Sequence, residues 1–466
     1  MRSDYLRPLW VTAERPHATA ARPYRFPSFT RHKLDSGMEL IVAPVRRLPL
    51  VSVRALVDAG ASVERTDVAG VAELTARALA EGTRRLPGVA LAESFERLGG
   101  SLSSYATWDG SHISATVLRE RFGPALQLIA EVLREPAFAG HEIDRLRGER
   151  IAELLELRAE PRGLADEAFE AFVYSSSSRF ALPEAGALIT VRELTRESVV
   201  EFYGVRFRPT TTTLIVVGDV DVEDVLREAT VAFSAWNGEA PARPPVEAAP
   251  ARTDRAIQVV SRPDAPQTEL RVGHIGVPRH HPDFFPLVVT NAVFGGVFNS
   301  RINLNLRERH GYTYGASSAF SWRREAGPFT ISTAVATETT IPAIREIVLE
   351  LETLRENSVT MDELSLALSY LEGIFPIQFE TTEAIASALA SLQTFGLSDD
   401  YFDAYRSRIR EVSASDVERV SRAHLSPARL QVVAVGDPTK IGPELESLEF
   451  GPAHVLDPSA AFAEKP

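Results

Sequence analysis

Arg192-Glu193-Leu194 … Val199 … Pro209 … Ile215-Val216-Val217-Gly218-Asp219 recurs as Arg410-Glu411-Val412 … Val417 … Pro427 … Val433-Ala434-Val435-Gly436-Asp437. Every pairing keeps one offset of 218 residues, without a gap. Ten matched or similar positions in one register are hard to obtain by chance, and an internal repeat reorganises every other reading of a chain. The motif reads as helix, connector, buried strand and turn. Thr213–Val217 and Gln431–Val435 are largely apolar, β-branched runs closed by Gly-Asp. Pro209 and Pro427 fall in the connectors, where a missing N–H is harmless.

Between the copies lies a stretch, 237–254, with Pro241, Pro244, Pro245 and Pro250 among alanines and charges. Its composition is that of a linker. The expected organisation is an extended proline-rich arm (1–32), a first half (33–236), the linker (237–254), a second half (255–450) and a tail (451–466). At 466 residues, the length prior of about three domains gives way to two large ones. Leu40–Ala43 and Leu50–Val57 read as strands, whereas Val68–Ala80, Pro124–Leu133 and Ile143–Leu157 have helical spacing. Leu102–Trp108 and His112–Leu118 flank Asp109-Gly110, a two-residue hairpin signal. Hairpins beside long helices predict an α+β fold: two homologous domains, each a mostly antiparallel sheet with helices packed on one side.

Composition excludes several classes. The chain has no cysteine, which removes disulfides, thiolate metal sites and cysteine nucleophiles. A net charge of −13 argues against binding a nucleic-acid backbone. No run approaches the roughly 18–20 apolar residues of a membrane span. No export signal is visible at the N-terminus, so the expected compartment is the cytoplasm, with the periplasm left open. G-x-G-x-x-G, Gly-Lys, G-x-S-x-G and H-E-x-x-H are all absent, and no two of the ten histidines stand at i, i+4. His280-His281 read as loop or helix-entry residues and Ser175–Ser178 as a solvated loop.

Two further segments resemble a known family. Gly70-Val71-Ala72 … Gly82-Thr83, followed by Glu93 and Leu98-Gly99-Gly100, is similar to the inverzincin peptidases, the pitrilysin and mitochondrial-processing-peptidase family. So is Gly295-Gly296 … Ser300-Arg301 … Leu306-Arg307-Glu308 … Gly311-Tyr312-Thr313-Tyr314. The similarity covers about residues 33–450. It implies two α+β domains per chain and a clam-like cavity shared with a partner. In active members a helix carries H-x-x-E-H, whose two histidines bind zinc and whose Glu is the general base. A third ligand, a Glu, follows about 75–80 residues on.

Here the five motif positions read Glu73-Leu74-Thr75-Ala76-Arg77. Both histidines are gone and the base position is Ala76. No imidazole remains, and the Arg77 guanidinium is a permanent cation without a lone pair to give a metal. The chain is therefore expected to hold no metal and no cofactor. Glu153, 76 residues after Arg77, is the candidate for the third-ligand position, with Glu149 and Glu156 as alternatives. Arg77 is expected to take over the metal's electrostatic place, pairing with Glu73 at i, i+4 and with Glu153.

The resemblance also implies an Arg and a Tyr, seven residues apart, that reach the substrate carbonyl from the second half. Arg307 and Tyr314 keep that spacing. Both can donate to an oxygen that gains negative charge as water adds to the carbon. Arg301 reads as structural. A chain lacking zinc ligands but keeping Arg/Tyr is similar to one subunit of the two-chain enzymes of this family. Its implied partners are a homologous H-x-x-E-H subunit holding the zinc and a peptide or unfolded-protein substrate. Rival readings are a scaffold, like the core proteins of the respiratory cytochrome bc complex, a peptide-binding module with an inert cleft, and an enzyme with a relocated metal site.

Overall fold

The structure, a computed structural model, describes residues 23–458. Most of the N-terminal arm and the end of the tail therefore lie outside the described residues. The repeated motif supplies the central strand of each of two six-stranded sheets. In the first half the strands are β1 (Thr30–Lys33), β2 (Glu39–Pro44), β3 (Leu50–Val57), β4 (Ser103–Ala106), β5 (Ser111–Leu118) and β6 (Thr212–Gly218), in the order β1-β2-β6-β3-β5-β4. In the second they are β7 (Ala256–Ser261), β8 (Gln267–Ile275), β9 (Ala316–Phe320), β10 (Pro328–Ala336), β11 (Gln431–Gly436) and β12 (His454–Leu456), in the order β12-β7-β11-β8-β10-β9. β2 pairs parallel with β6, and β7 parallel with both β11 and β12; the other neighbours are antiparallel.

The near-continuous apolar runs of β6 and β11 follow from their position. Every residue of both strands is buried, because both sheet faces are covered. Gly218 closes β6 with φ +149°, and a Cβ there would stand 2.1 Å from the Leu50 carbonyl oxygen. Only glycine allows that approach.

One face of the first sheet carries its own helices, α1 (Val71–Leu79), α2 (Gly88–Arg97), α3 (Phe122–Arg134) and α4 (Gly140–Ala159). Val51, Val53, Leu214 and Val216 pack there with Leu74, Phe95, Leu126 and Ile143. The opposite face is covered by a helix of the second half, Thr382–Phe395. Its Ile385, Leu389 and Leu392 pack on Ile41, Leu56, Ile215 and Val217. The arrangement is reciprocal. α5 (Pro161–Val173) of the first half lays Leu164, Ala165 and Phe169 on Val260, Val433 and Val435 of the second sheet. Each half thus completes the other's core.

Two local readings change. The β4–β5 loop is four residues rather than two, Thr107–Gly110, closed by a Thr107 N–H bond to the Gly110 carbonyl at 2.8 Å. The reason lies in Asp109, whose carboxylate accepts the Arg324 N–H at 3.0 Å and faces Arg243. Ser178 is buried, caps the Phe180 N–H and donates to the Glu247 carbonyl at 2.7 Å, so that serine is not solvated. The stretch 237–254 forms no helix or strand, yet it is pinned: Arg243 binds Asp58 at 2.6 Å and the Ser62 hydroxyl at 2.6 Å.

Candidate functional site

α1 begins at Gly70, which adopts φ +101° and has Ala185 O 3.0 Å from where a Cβ would stand. The buried Glu64 carboxylate accepts the Gly70 N–H at 3.0 Å and the Ala72 N–H at 2.5 Å. A carboxylate bonded to the free N–H groups of a helix start stabilises that end. Arg179 fixes Glu64 from the other side at 2.7 Å. The helix is thereby anchored with one face, Val71, Leu74 and Ala78, in the core. Its Ala72 and Ala76 pack on Ala106 of β4.

The motif positions come together. Arg77 Nε donates to Glu73 at 2.7 Å, and its two terminal nitrogens bind the Glu153 carboxylate of α4 at 2.7 and 3.1 Å. Arg150 adds a bond to Glu153 at 3.0 Å. Glu149 turns instead to Arg145 at 2.7 Å. The bonds from Arg77, assisted by Arg150, hold the Glu153 carboxyl below its usual range. Glu73 and Glu153 carry the negative charge a zinc would neutralise, and Arg77 supplies the positive charge between them. These residues do not fit zinc: the bidentate guanidinium takes the carboxylate oxygens, and no imidazole is present.

Glu73 also accepts the Ala106 N–H at 2.9 Å, so α1 is tied to β4, the edge strand of the first sheet. The second half repeats this device. Asn303 accepts the Ala316 N–H of the edge strand β9 at 3.0 Å. Arg307 follows Asn303 by four residues, as Arg77 follows Glu73. The two arginines nevertheless stand on different elements: Arg77 on the first helix after β3, Arg307 in Leu304–Arg309, the second helical segment after β8. They differ in environment. Arg77 is locked between carboxylates, whereas Arg307 stands over the exposed Phe298 ring at 4.8 Å with Glu308 at 3.3 Å.

Tyr314 lies in the loop between Arg307 and β9 and is 92% exposed. It is no core residue. The loop itself is fixed by bonds of Thr313 with Gly315 and Thr333. Among the described residues no hydrogen bond engages Tyr314, and neither Arg307 nor Tyr314 bonds to Glu73, Arg77 or Glu153. Arg301 is structural in geometry: it binds Glu363 at 2.6 and 2.9 Å, and Glu363 closes the capping box of the helix Met361–Ile374.

On the sheet face opposite α1 lies a cavity of about 400 Å³, roofed by the helix Thr382–Phe395 and lined by Arg54, Tyr105, Trp108, His112, Glu184 and Arg323. Arg54 is only 4% exposed, yet its partners are neutral: the Tyr105 hydroxyl at 3.0 Å and His112 Nδ1 at 3.3 Å. Burial, then the Arg54 charge, lowers the His112 pKa to about 3, so its ring stays neutral. Burial pushes Glu184 up to about 7 despite the nearby Arg323. None of these residues forms a sequence motif. The one available signal is the hairpin, whose pairing sets Tyr105 opposite His112.

Comparison with known proteins shows the family and the fold. The family model described as Peptidase M16 inactive domain matches residues 193–371, and the Insulinase (Peptidase family M16) model matches residues 46–180. The chain belongs to peptidase family M16, as a zinc-less member. It is 22% identical over 397 residues to an uncharacterized zinc protease of Streptomyces coelicolor, covering 84% of this chain and 86% of that one. It is 21% identical over 385 residues to a non-peptidase homolog of Helicobacter pylori, covering 81% and 87%. A solved M16 inactive domain from Pseudomonas fluorescens superimposes with a TM-score of 0.82 at 24% identity, over 88% of this chain and 98% of that one.

Proposed function

We propose that this chain is the zinc-less subunit of a two-chain M16 metalloendopeptidase, inactive alone and active with a homologous H-x-x-E-H subunit that holds the zinc. A peptide or unfolded segment binds in the cavity between the subunits, adding as a strand to an open sheet edge such as that of β4. The Tyr314 hydroxyl and the Arg307 guanidinium donate to the scissile carbonyl oxygen as it becomes an oxyanion. The observation that carries the reading is Tyr314 itself, 92% exposed and, among the described residues, without a hydrogen bond, on a loop fixed by its neighbours. A tyrosine packed on the core would have no reach outside its own chain; this one has. A scaffold needs neither donor. Tyr314→Phe is expected to lower the activity of the mixed complex by roughly 10²–10³, the usual loss for one oxyanion donor, while sedimentation shows assembly intact. Full activity in that variant contradicts the assignment.

A further inference from the structure

We propose that His281, Asp283 and His424 form a divalent-metal site of the zinc type in the second half, separate from α1. His281 and Asp283 stand in the turn that opens the helix Phe284–Asn291, and His424 ends the helix Ala414–His424 packed against it. One nitrogen of each histidine and one carboxylate oxygen all lie within 4.8 Å of one another. His424 Nε2 is 2.7 Å from Asp283 Oδ2, and His281 Nδ1 is 4.0 Å from the same oxygen. The two rings meet edge to face at 4.9 Å.

Two imidazoles and a carboxylate suit zinc and its neighbours in the first transition row, with water completing the shell. All three side chains are half-buried, with one side open to solvent for that water. Arg419 binds Asp283 Oδ1 at 2.8 Å, leaving Oδ2 for an ion and fixing the carboxylate's orientation. His280 is adjacent in the turn. His274, beyond His424, is engaged by the Ile275 carbonyl at 2.8 Å and the Ser426 N–H at 3.2 Å and offers no fourth nitrogen. An ion here displaces the His424–Asp283 bond and the Asp283 N–H bond to His281 Nδ1 at 3.1 Å. Affinity is accordingly below that of a four-ligand structural site. The bound ion clips together two helix ends distant in sequence.

The test uses the full chain, free of any histidine tag and stripped with EDTA, titrated with Zn²⁺ against a chromophoric competitor, with Co²⁺ absorption as a second readout. One equivalent is expected. Asp283→Asn and His281→Ala should each weaken binding by at least about 10–100-fold, the loss seen when even a supporting partner is removed. Glu153→Gln should leave it unchanged. Circular dichroism verifies folding, and should Asp283→Asn fail to fold, His281→Ala decides. No saturable binding by the folded wild-type chain, or binding unchanged in His281→Ala, overturns the proposal. Loss in Glu153→Gln with retention in Asp283→Asn places the ion at α1 and overturns it equally.

Discussion

Arg77 holds two carboxylates that would otherwise face each other, Glu73 at 2.7 Å and Glu153 at 2.7 Å. Arg77→Met is expected to cost about 1–3 kcal/mol in urea unfolding, because the half-buried Glu73 loses its charge partner. Adding Glu153→Gln should recover part of the loss, since the carboxylates no longer repel, and a double-mutant cycle reads the coupling. The same logic applies to Glu184, with the sign set by burial. Its pKa rises from 4.5 to about 7, so the proton-bound form contributes stability that is complete below about pH 4.5 and lost as pH rises through about 7. Glu184→Gln should match wild type at pH 4 and exceed it by about 1–3 kcal/mol at pH 8, read from denaturation midpoints. A constant difference across that window would show that Glu184 ionises freely. Arg77 and Glu153 were legible in the sequence because the family spacing singles out both positions. Arg54 and Glu184 were not. Their significance depends on which sheet face a side chain takes and on what roofs it, and no short-range pattern carries that.

At the scale of elements, the repeat made the two central strands readable: complete burial forces an apolar, β-branched run, and close approach forces the terminal glycine. The hairpin was read in place but with a shorter loop, since Asp109 is drawn away by Arg243 and by the Arg324 N–H. The reciprocal crossing of α5 and the helix Thr382–Phe395 was invisible, because an apolar helix face does not say which sheet it covers. Leu389, fully buried between that helix and the first sheet, tests the crossing. Leu389→Ala is expected to cost about 2–5 kcal/mol and to lower one shared thermal transition. Two separated transitions, with only the second half destabilised, would contradict the mutual completion of the cores.

The whole molecule is one fold used twice, and the proposed function assigns its two copies opposite tasks. In the first copy Arg77 is sealed between carboxylates at the position that would carry zinc in an active relative. In the second Arg307 stands over the exposed Phe298 ring, and Tyr314 is exposed on the loop that follows. On the proposed function, that division lets a chain keep a peptidase's architecture and act only with a zinc-holding partner. The most direct test of the account is the rate of peptide cleavage, in zinc-containing buffer, by this chain, by a homologous H-x-x-E-H chain, and by their mixture. Cleavage by the mixture alone is predicted. Cleavage by this chain alone, or full activity of the H-x-x-E-H chain without it, would contradict the account.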